Sequence, residues 1–171
     1  MTDRVGADLM PPTELGAVRV EPARPGDLAQ IMTLERAGFS GRLWSPTAWA
    51  EEIGRLGHIV LVGRDAAGQP VGATAWSVVA EVAELLRLVV DPAQRRRGWG
   101  RRLVEAGLEW AAQAGAEVAF LEVAEDNQPA SRLYLDLNFS VIDRRRDYYT
   151  PGQHAIVMRR AVPGALGDGH V

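Results

Sequence analysis

The run from Leu88 to Leu103 leaves this chain few architectures to choose from. Leu88, Val89 and Val90 close a short apolar, β-branched segment of the kind that forms a buried strand. Asp91-Pro92 then stops the ladder, because proline has no N–H and biases its predecessor towards extended geometry. Beyond Gly100 the small and apolar residues fall at Leu103, Gly107, Leu108, Ala111 and Ala114, close to one face of a helix. A second apolar run, Val118 to Val123, follows. The helix is therefore a crossover, and the strands that flank it, 82–90 and 118–123, are expected to be parallel.

The join carries chemistry of its own. Arg95, Arg96, Arg97, Arg101 and Arg102 crowd a turn punctuated by Gly98 and Gly100. At a helix mouth the first backbone N–H groups are unpaired and the dipole is positive, so the turn suits a phosphate. All 19 positive residues are arginine, which excludes a Walker loop and its lysine. A dinucleotide fingerprint fails because Leu103 stands where its third glycine belongs. What remains is a short pattern from Arg95 to Gly100: glutamine or arginine, two free positions, glycine, one free position, then glycine or alanine. A basic helix start with glycine at a turn would match it equally well, so the surrounding segments decide.

Those segments read in the order β-α-α-β-β-β-α-β-α-β-β. A strand over 17–22 precedes a helix that begins at Pro25-Gly26-Asp27 and carries Leu28, Ile31, Met32 and Leu34. A loop over 37–44 holds Phe39 and Trp44. Ser45-Pro46 is an N-cap with proline at the first helical position, opening a second helix through Trp49 and Ile53. Strands are expected at 58–63, 71–79 and 82–90, then the crossover helix and the strand at 118–123. Asn127 caps a helix carrying Leu133, Tyr134 and Leu137, and Asn138 takes the left-handed position that ends it. Phe139 to Ile142 and His154 to Met158 close the order as an antiparallel pair. Residues 1–16 show no periodicity and are expected to form a loose extension, 17–161 one domain, and 162–171 a Gly-rich tail.

Bulk properties narrow the function classes. The formal net charge is −3, so the arginine cluster is local, which argues against a general nucleic-acid binder. The chain has no cysteine, which excludes disulfides and an acyl-cysteine intermediate. His58, His154 and His170 are too scattered to suggest a metal. No window approaches a membrane span, the N-terminus has no apolar signal core, and a cytoplasmic location is expected.

The Arg95–Gly100 pattern resembles the pyrophosphate loop of the GNAT acetyltransferases. The element order resembles theirs too, and so does a second block: Leu121-Glu122-Val123, Asn127, Ala130, Leu133-Tyr134 and Phe139. Phe39 to Ser45 and Arg145-Arg146-Asp147-Tyr148-Tyr149 are similar to the RimI-type branch, which acetylates the N-terminal alanine of a small-subunit ribosomal protein. The resemblance covers roughly residues 17–160. It implies an α/β (α+β) acyl-CoA N-acyltransferase fold: a mixed, mostly antiparallel sheet with one central parallel pair, flanked by helices. It also implies acetyl-CoA as cosubstrate and no metal. Leu88, Val89 and Val90 would hold the pantetheine arm, and Arg95, Arg96, Arg97, Gly98, Trp99, Gly100 and Arg101 the diphosphate. Asn127 would cap its helix and touch the same ligand. Phe39, Trp44, Tyr148 and Tyr149 would line the acceptor groove. Ala124, Asp126 and Asn138 depart from the family's usual arginine, serine and glycine.

By the same resemblance Glu122 is the general base and Tyr134 the general acid that protonates the departing thiolate. On its strand Glu122 shares a face with Phe120 and Ala124, where lost hydration would favour the protonated carboxyl. Glu84, on the neighbouring strand, is a rival base. Tyr134 also lies at core spacing between Leu133 and Leu137, where a tyrosine is often structural. The leading acceptor is a protein N-terminal α-amine; a small-molecule amine or a protein lysine is the alternative. A non-catalytic acetyl-CoA sensor would lack a working acid–base pair. A nucleic-acid binder would show a steep salt dependence indifferent to CoA.

Overall fold

The computed structural model describes residues 17–39 and 41–164. The extension expected over 1–16 and residues 165–171 of the expected tail lie outside them. The elements are β1 (Arg19–Pro22), α1 (Leu28–Gly38), α2 (Pro46–Glu52), β2 (His58–Arg64), β3 (Pro70–Val79), β4 (Val82–Val90), α3 (Trp99–Gln113), β5 (Val118–Ala124), α4 (Gln128–Asp136), β6 (Ser140–Thr150) and β7 (Gln153–Ala161).

Local chemistry accounts for several of these boundaries. The Ala48 N–H donates to Ser45 Oγ at 3.1 Å, with Pro46 at the first helical position, and α2 starts there. The Ala130 N–H donates to Asn127 Oδ1 at 3.2 Å, which starts α4. At the other end Asn138 sits at φ 66°, and the Phe139 N–H turns back to the Tyr134 carbonyl at 3.0 Å. Val162, expected in a frayed tail, is instead buried, and its N–H donates to the Glu117 carbonyl at 2.9 Å. One apolar side chain with somewhere to go extends the ordered chain past β7.

The sheet runs β1-β2-β3-β4-β5-β7-β6, and every pairing is antiparallel except β4–β5. Helices α3 and α4 cover one face, over Trp76, Leu85, Leu121 and Met158. Helices α1 and α2 cover the other over β2, β3 and the end of β4, around Ile31, Trp49, Val62, Ala75 and Val89. Gly107 of α3 abuts the fully buried Trp76, and a Cβ there would fall inside the indole. Gly107→Ala is expected to cost ~1–3 kcal/mol through overpacking, read as a lower denaturation midpoint at unchanged slope.

Two irregularities in β4 shape the centre of the sheet. Trp76 pairs with Leu85 but Ala75 pairs with Arg87, so Leu86 is an extra residue on β4. A bulge of this kind re-aims the side chains beyond it. Leu85 therefore faces α3, while Arg87 is turned to the α1 side. The second irregularity is that β4 and β5 pair only from Val82–Val118 to Leu85–Leu121 and then part. From Leu86 to Val90, β4 has β3 on one side and an open backbone edge on the other.

Candidate active site

The open edge of β4 runs into the helix mouth. Arg96 and Gly98 both take left-handed φ, 63° and 79°, which curls the loop before α3. No side chain caps α3, and the Arg102 N–H bonds the Gly98 carbonyl at 3.1 Å. The amides of the first turn ahead of it are the unpaired donors that every helix start presents. A Cβ on Gly100 would sit 3.0 Å from Leu133 Cδ2, so α4 closes one side of the mouth. An unpaired strand edge leading to uncapped amides is the layout that a pantetheine arm ending in a diphosphate requires. The residues fit acetyl-CoA on those grounds.

The arginines divide. Arg95 Nη2 donates to the Gly38 carbonyl at 2.7 Å and ties the loop to the end of α1. Arg97 Nη1 reaches Gln94 Oε1 at 3.3 Å, and Arg101 Nη1 reaches Glu105 at 3.3 Å, both exposed. Trp99 buries its indole against Gly63, which leaves its N–H for a ligand. Its side chain belongs to the core because the first apolar position of α3 faces the sheet. Arg95 is likewise committed elsewhere by its side chain, so these two residues offer backbone only.

On the α1 side of the sheet, Glu84 of β4 and Glu122 of β5 form a carboxylate pair flanking the point where the strands part. Burial, and secondarily the Glu122 charge, raise the Glu84 pKa, with Arg145 acting against them. The shift expected of a carboxylate on this floor is thus found on Glu84. Glu122 has company instead: Arg145 Nη1 lies 2.8 Å from its Oε1. Tyr148 and Tyr149 stand beside it. The interaction with Glu122 is the main cause of the raised Tyr148 pKa. Burial is the main cause for Tyr149, where Glu122, Tyr148 and Asp126 add to the rise and Arg87 opposes it. Asp126, one of the departures from the family pattern, thus acts electrostatically on Tyr149.

Tyr134 approaches from the opposite face. It is buried on α4, edge-on to Phe139 with ring centroids 5.9 Å apart. Burial drives its pKa far up, and Tyr149 adds to the shift. The phenol therefore keeps its proton at any ordinary pH.

Phe39 and Trp44 belong to a network on the α1 side that joins Glu35 of α1 to Arg87 of β4. Glu35 is fully buried, accepting from the Trp44 N–H at 2.8 Å and from Trp49 Nε1 at 3.2 Å. Arg87 forms an ion pair with it, places its guanidinium 3.4 Å from the centre of the Phe39 ring, and donates to the Arg42 carbonyl at 3.0 Å. Phe39 and Trp44 are partly buried against the α1–α2 core and plug its end. One signal for Arg87 was present: a lone charge inside Leu85-Leu86-Arg87-Leu88-Val89-Val90 needs a buried partner. Leu88, Val89 and Val90 lie on the open edge of β4, and Asn127 stands at the mouth of α4.

Comparison with known proteins bears on the family and the fold. The pattern described as the Acetyltransferase (GNAT) family matches residues 28–139. An N-alpha-acetyltransferase RimI of Mycobacterium tuberculosis is 35% identical over 122 residues, covering 68% of this chain and 75% of that protein. A ribosomal protein bS18-alanine N-acetyltransferase of Salmonella typhimurium is 38% identical over 84 residues, covering 47% of this chain and 57% of that protein. In a Mycobacterium leprae relative 33% identical over 142 residues, the match spans 80% of this chain but only 38% of the relative's length. The crystal structure of the ribosomal-protein-S18-alanine N-acetyltransferase from Escherichia coli superposes with a TM-score of 0.78 at 24% identity, covering 90% of this chain and 99% of that one. At that identity the likeness is one of fold.

Proposed function

Because the chain belongs to the acetyltransferase (GNAT) family, we propose that it transfers an acetyl group from acetyl-CoA to the N-terminal α-amine of a protein. The observation that carries the reading is the gap between β4 and β5. It has a carboxylate pair on one face, a buried, protonated phenol on the helix that covers the other, and an uncapped helix mouth at its end. When bound, acetyl-CoA supplies the activated acetyl thioester. The backbone edge of Leu88 to Val90 holds its arm, and the amides from Arg96 to Arg101 hold its diphosphate. Glu122, with Glu84 beside it, receives the proton of the acceptor amine. Tyr134 Oη gives a proton to the leaving sulfur.

Two considerations favour an α-amine over a lysine. An α-amine with pKa near 8 is roughly one-tenth neutral at pH 7, whereas a lysine near 10.4 is neutral to less than about one part in a thousand. A carboxylate pair is a weak base and serves the first far better. The names of the Mycobacterium tuberculosis and Salmonella typhimurium relatives point the same way, the former to an α-amine and the latter to an alanine of ribosomal protein bS18. The work belongs in the cytoplasm, where newly made N-termini are found; no helix among the described residues is long and apolar enough to cross a membrane.

The test supplies acetyl-CoA and compares short peptides that begin in alanine, serine, glycine or methionine with internal-lysine peptides and with small amines, following free thiol. Alanine-initiated peptides are expected to give the highest kcat/KM. Faster turnover of a lysine peptide or a small amine would replace this acceptor with that one.

A further inference from the structure

We propose that Arg145 is an internal competitor for the acceptor amine. Its guanidinium holds, in the acceptor-free protein, the place beside Glu122 that the incoming ammonium takes. This deepens the proposed function and rests on it. Two neighbouring carboxylates on the same face, Glu84 exposed and Glu122 half-buried, each raise the cost of ionising the other, and a cation between them relieves it. Arg145 supplies that charge, with its Nη1 2.8 Å from Glu122 Oε1. Glu84 on β4 feels the same guanidinium, as does Tyr148 on β6, and Arg87 and Tyr149 complete the charged and titratable surroundings.

Arg145 is also built to leave. Half of its side chain is exposed, and the guanidinium, while paired with Glu122, already lies 5.4 Å from the centre of the Tyr148 ring, so a short swing can release Glu122 and keep that aromatic contact. The strand beneath it is irregular: the β6–β7 register breaks between Arg145 and Thr150, and Asp147 takes a left-handed φ of 52°. Its neighbour behaves differently. Arg144 grips Glu125 through two hydrogen bonds, 2.6 and 2.8 Å, and anchors the start of the segment. One arginine fixes the wall and the next is free to swing.

An α-amine arrives about nine-tenths protonated at pH 7. Exchanging guanidinium for ammonium keeps the charge at the carboxylate pair constant, so neither carboxylate is stranded during acceptor entry. The strength of the Arg145–Glu122 contact then sets acceptor affinity from within the protein.

Calorimetry on the CoA-saturated protein tests this, with an alanine-initiated peptide and its N-acetylated form titrated into the wild type, Arg145→Ala and Arg145→Lys. Removing a partly exposed competing pair should tighten binding of the free-amine peptide by ~2–5-fold in Arg145→Ala. The N-acetylated peptide should be unaffected, and Arg145→Lys should stay near the wild type. Weaker binding of the free-amine peptide by Arg145→Ala, or an equal change for both peptides, overturns the proposal. If no peptide binds the wild type, the peptide-acceptor reading is what fails. Ethylammonium titrated into the same three proteins then decides on Arg145 alone: tighter binding by Arg145→Ala supports it, and unchanged or weaker binding rejects it.

Discussion

Glu122→Gln and Tyr134→Phe are each expected to lower kcat by ~10²–10⁴-fold while acetyl-CoA still binds, as losing a positioned proton acceptor or donor does. The two variants probe opposite faces of the sheet. Glutamine at 122 keeps the shape of the side chain and removes its capacity to take a proton. Glu84→Gln should be milder, because Glu84 stands on β4 and acts through the pair. An active Glu122→Gln enzyme with an inactive Glu84→Gln one would reverse the assignment. Phenylalanine at 134 keeps the edge-on contact with Phe139 and deletes one oxygen. The raised Tyr134 pKa means that the phenol is charged with its proton across the assay range, so its titration does not shape the pH profile. Single-turnover rates on the acetyl-CoA complex measure both variants, and an unchanged kcat in Tyr134→Phe would reject its role.

The largest stability effect should come from Arg87→Leu, at about 3 kcal/mol, the lower end of what breaking a buried ion pair costs. For a chain of this size that is roughly 10 °C in melting temperature. The change strands Glu35, which has 0% exposure, though the donors from Trp44 and Trp49 still hold it and keep the loss from being greater. It also takes the guanidinium away from Phe39 and the Arg42 carbonyl, so the α1–α2 loop loses its hold on β4. Adding Glu35→Gln should recover part of the loss, because it removes the stranded charge, although only one of the two donors, Trp44 N–H or Trp49 Nε1, can still find an amide oxygen. Thermal denaturation of the single and double variants checks this. A double variant no more stable than Arg87→Leu would mean that packing of the arginine stem, and not the stranded charge, governs the region.

How much was legible in the chain depends on how local each signal is. The crossover was legible because Asp91-Pro92, Gly98 and the spacing from Leu103 to Ala111 lie within one short stretch. The parallel pairing of β4 with β5 then came from topology. Asn138 was legible because a left-handed helix end is a property of one residue. Strand β6 was read only as far as Ile142. It continues to Thr150 with every residue exposed, so no buried face imposes the alternation by which strands are recognised. The Leu86 bulge leaves no pattern in the sequence, yet it decides which way Arg87 points. The Glu35–Arg87 and Glu122–Arg145 pairs join residues far apart in the chain, and only the folded sheet brings them together.

That bare border strand has a wider meaning. Tyr148, Tyr149 and Arg145 stand on a part of the molecule that contributes nothing to either core. Substitutions along it are expected to leave the melting temperature nearly unchanged. On the proposed function, acceptor preference could then be altered on this one margin without disturbing the scaffold that holds the acetyl donor.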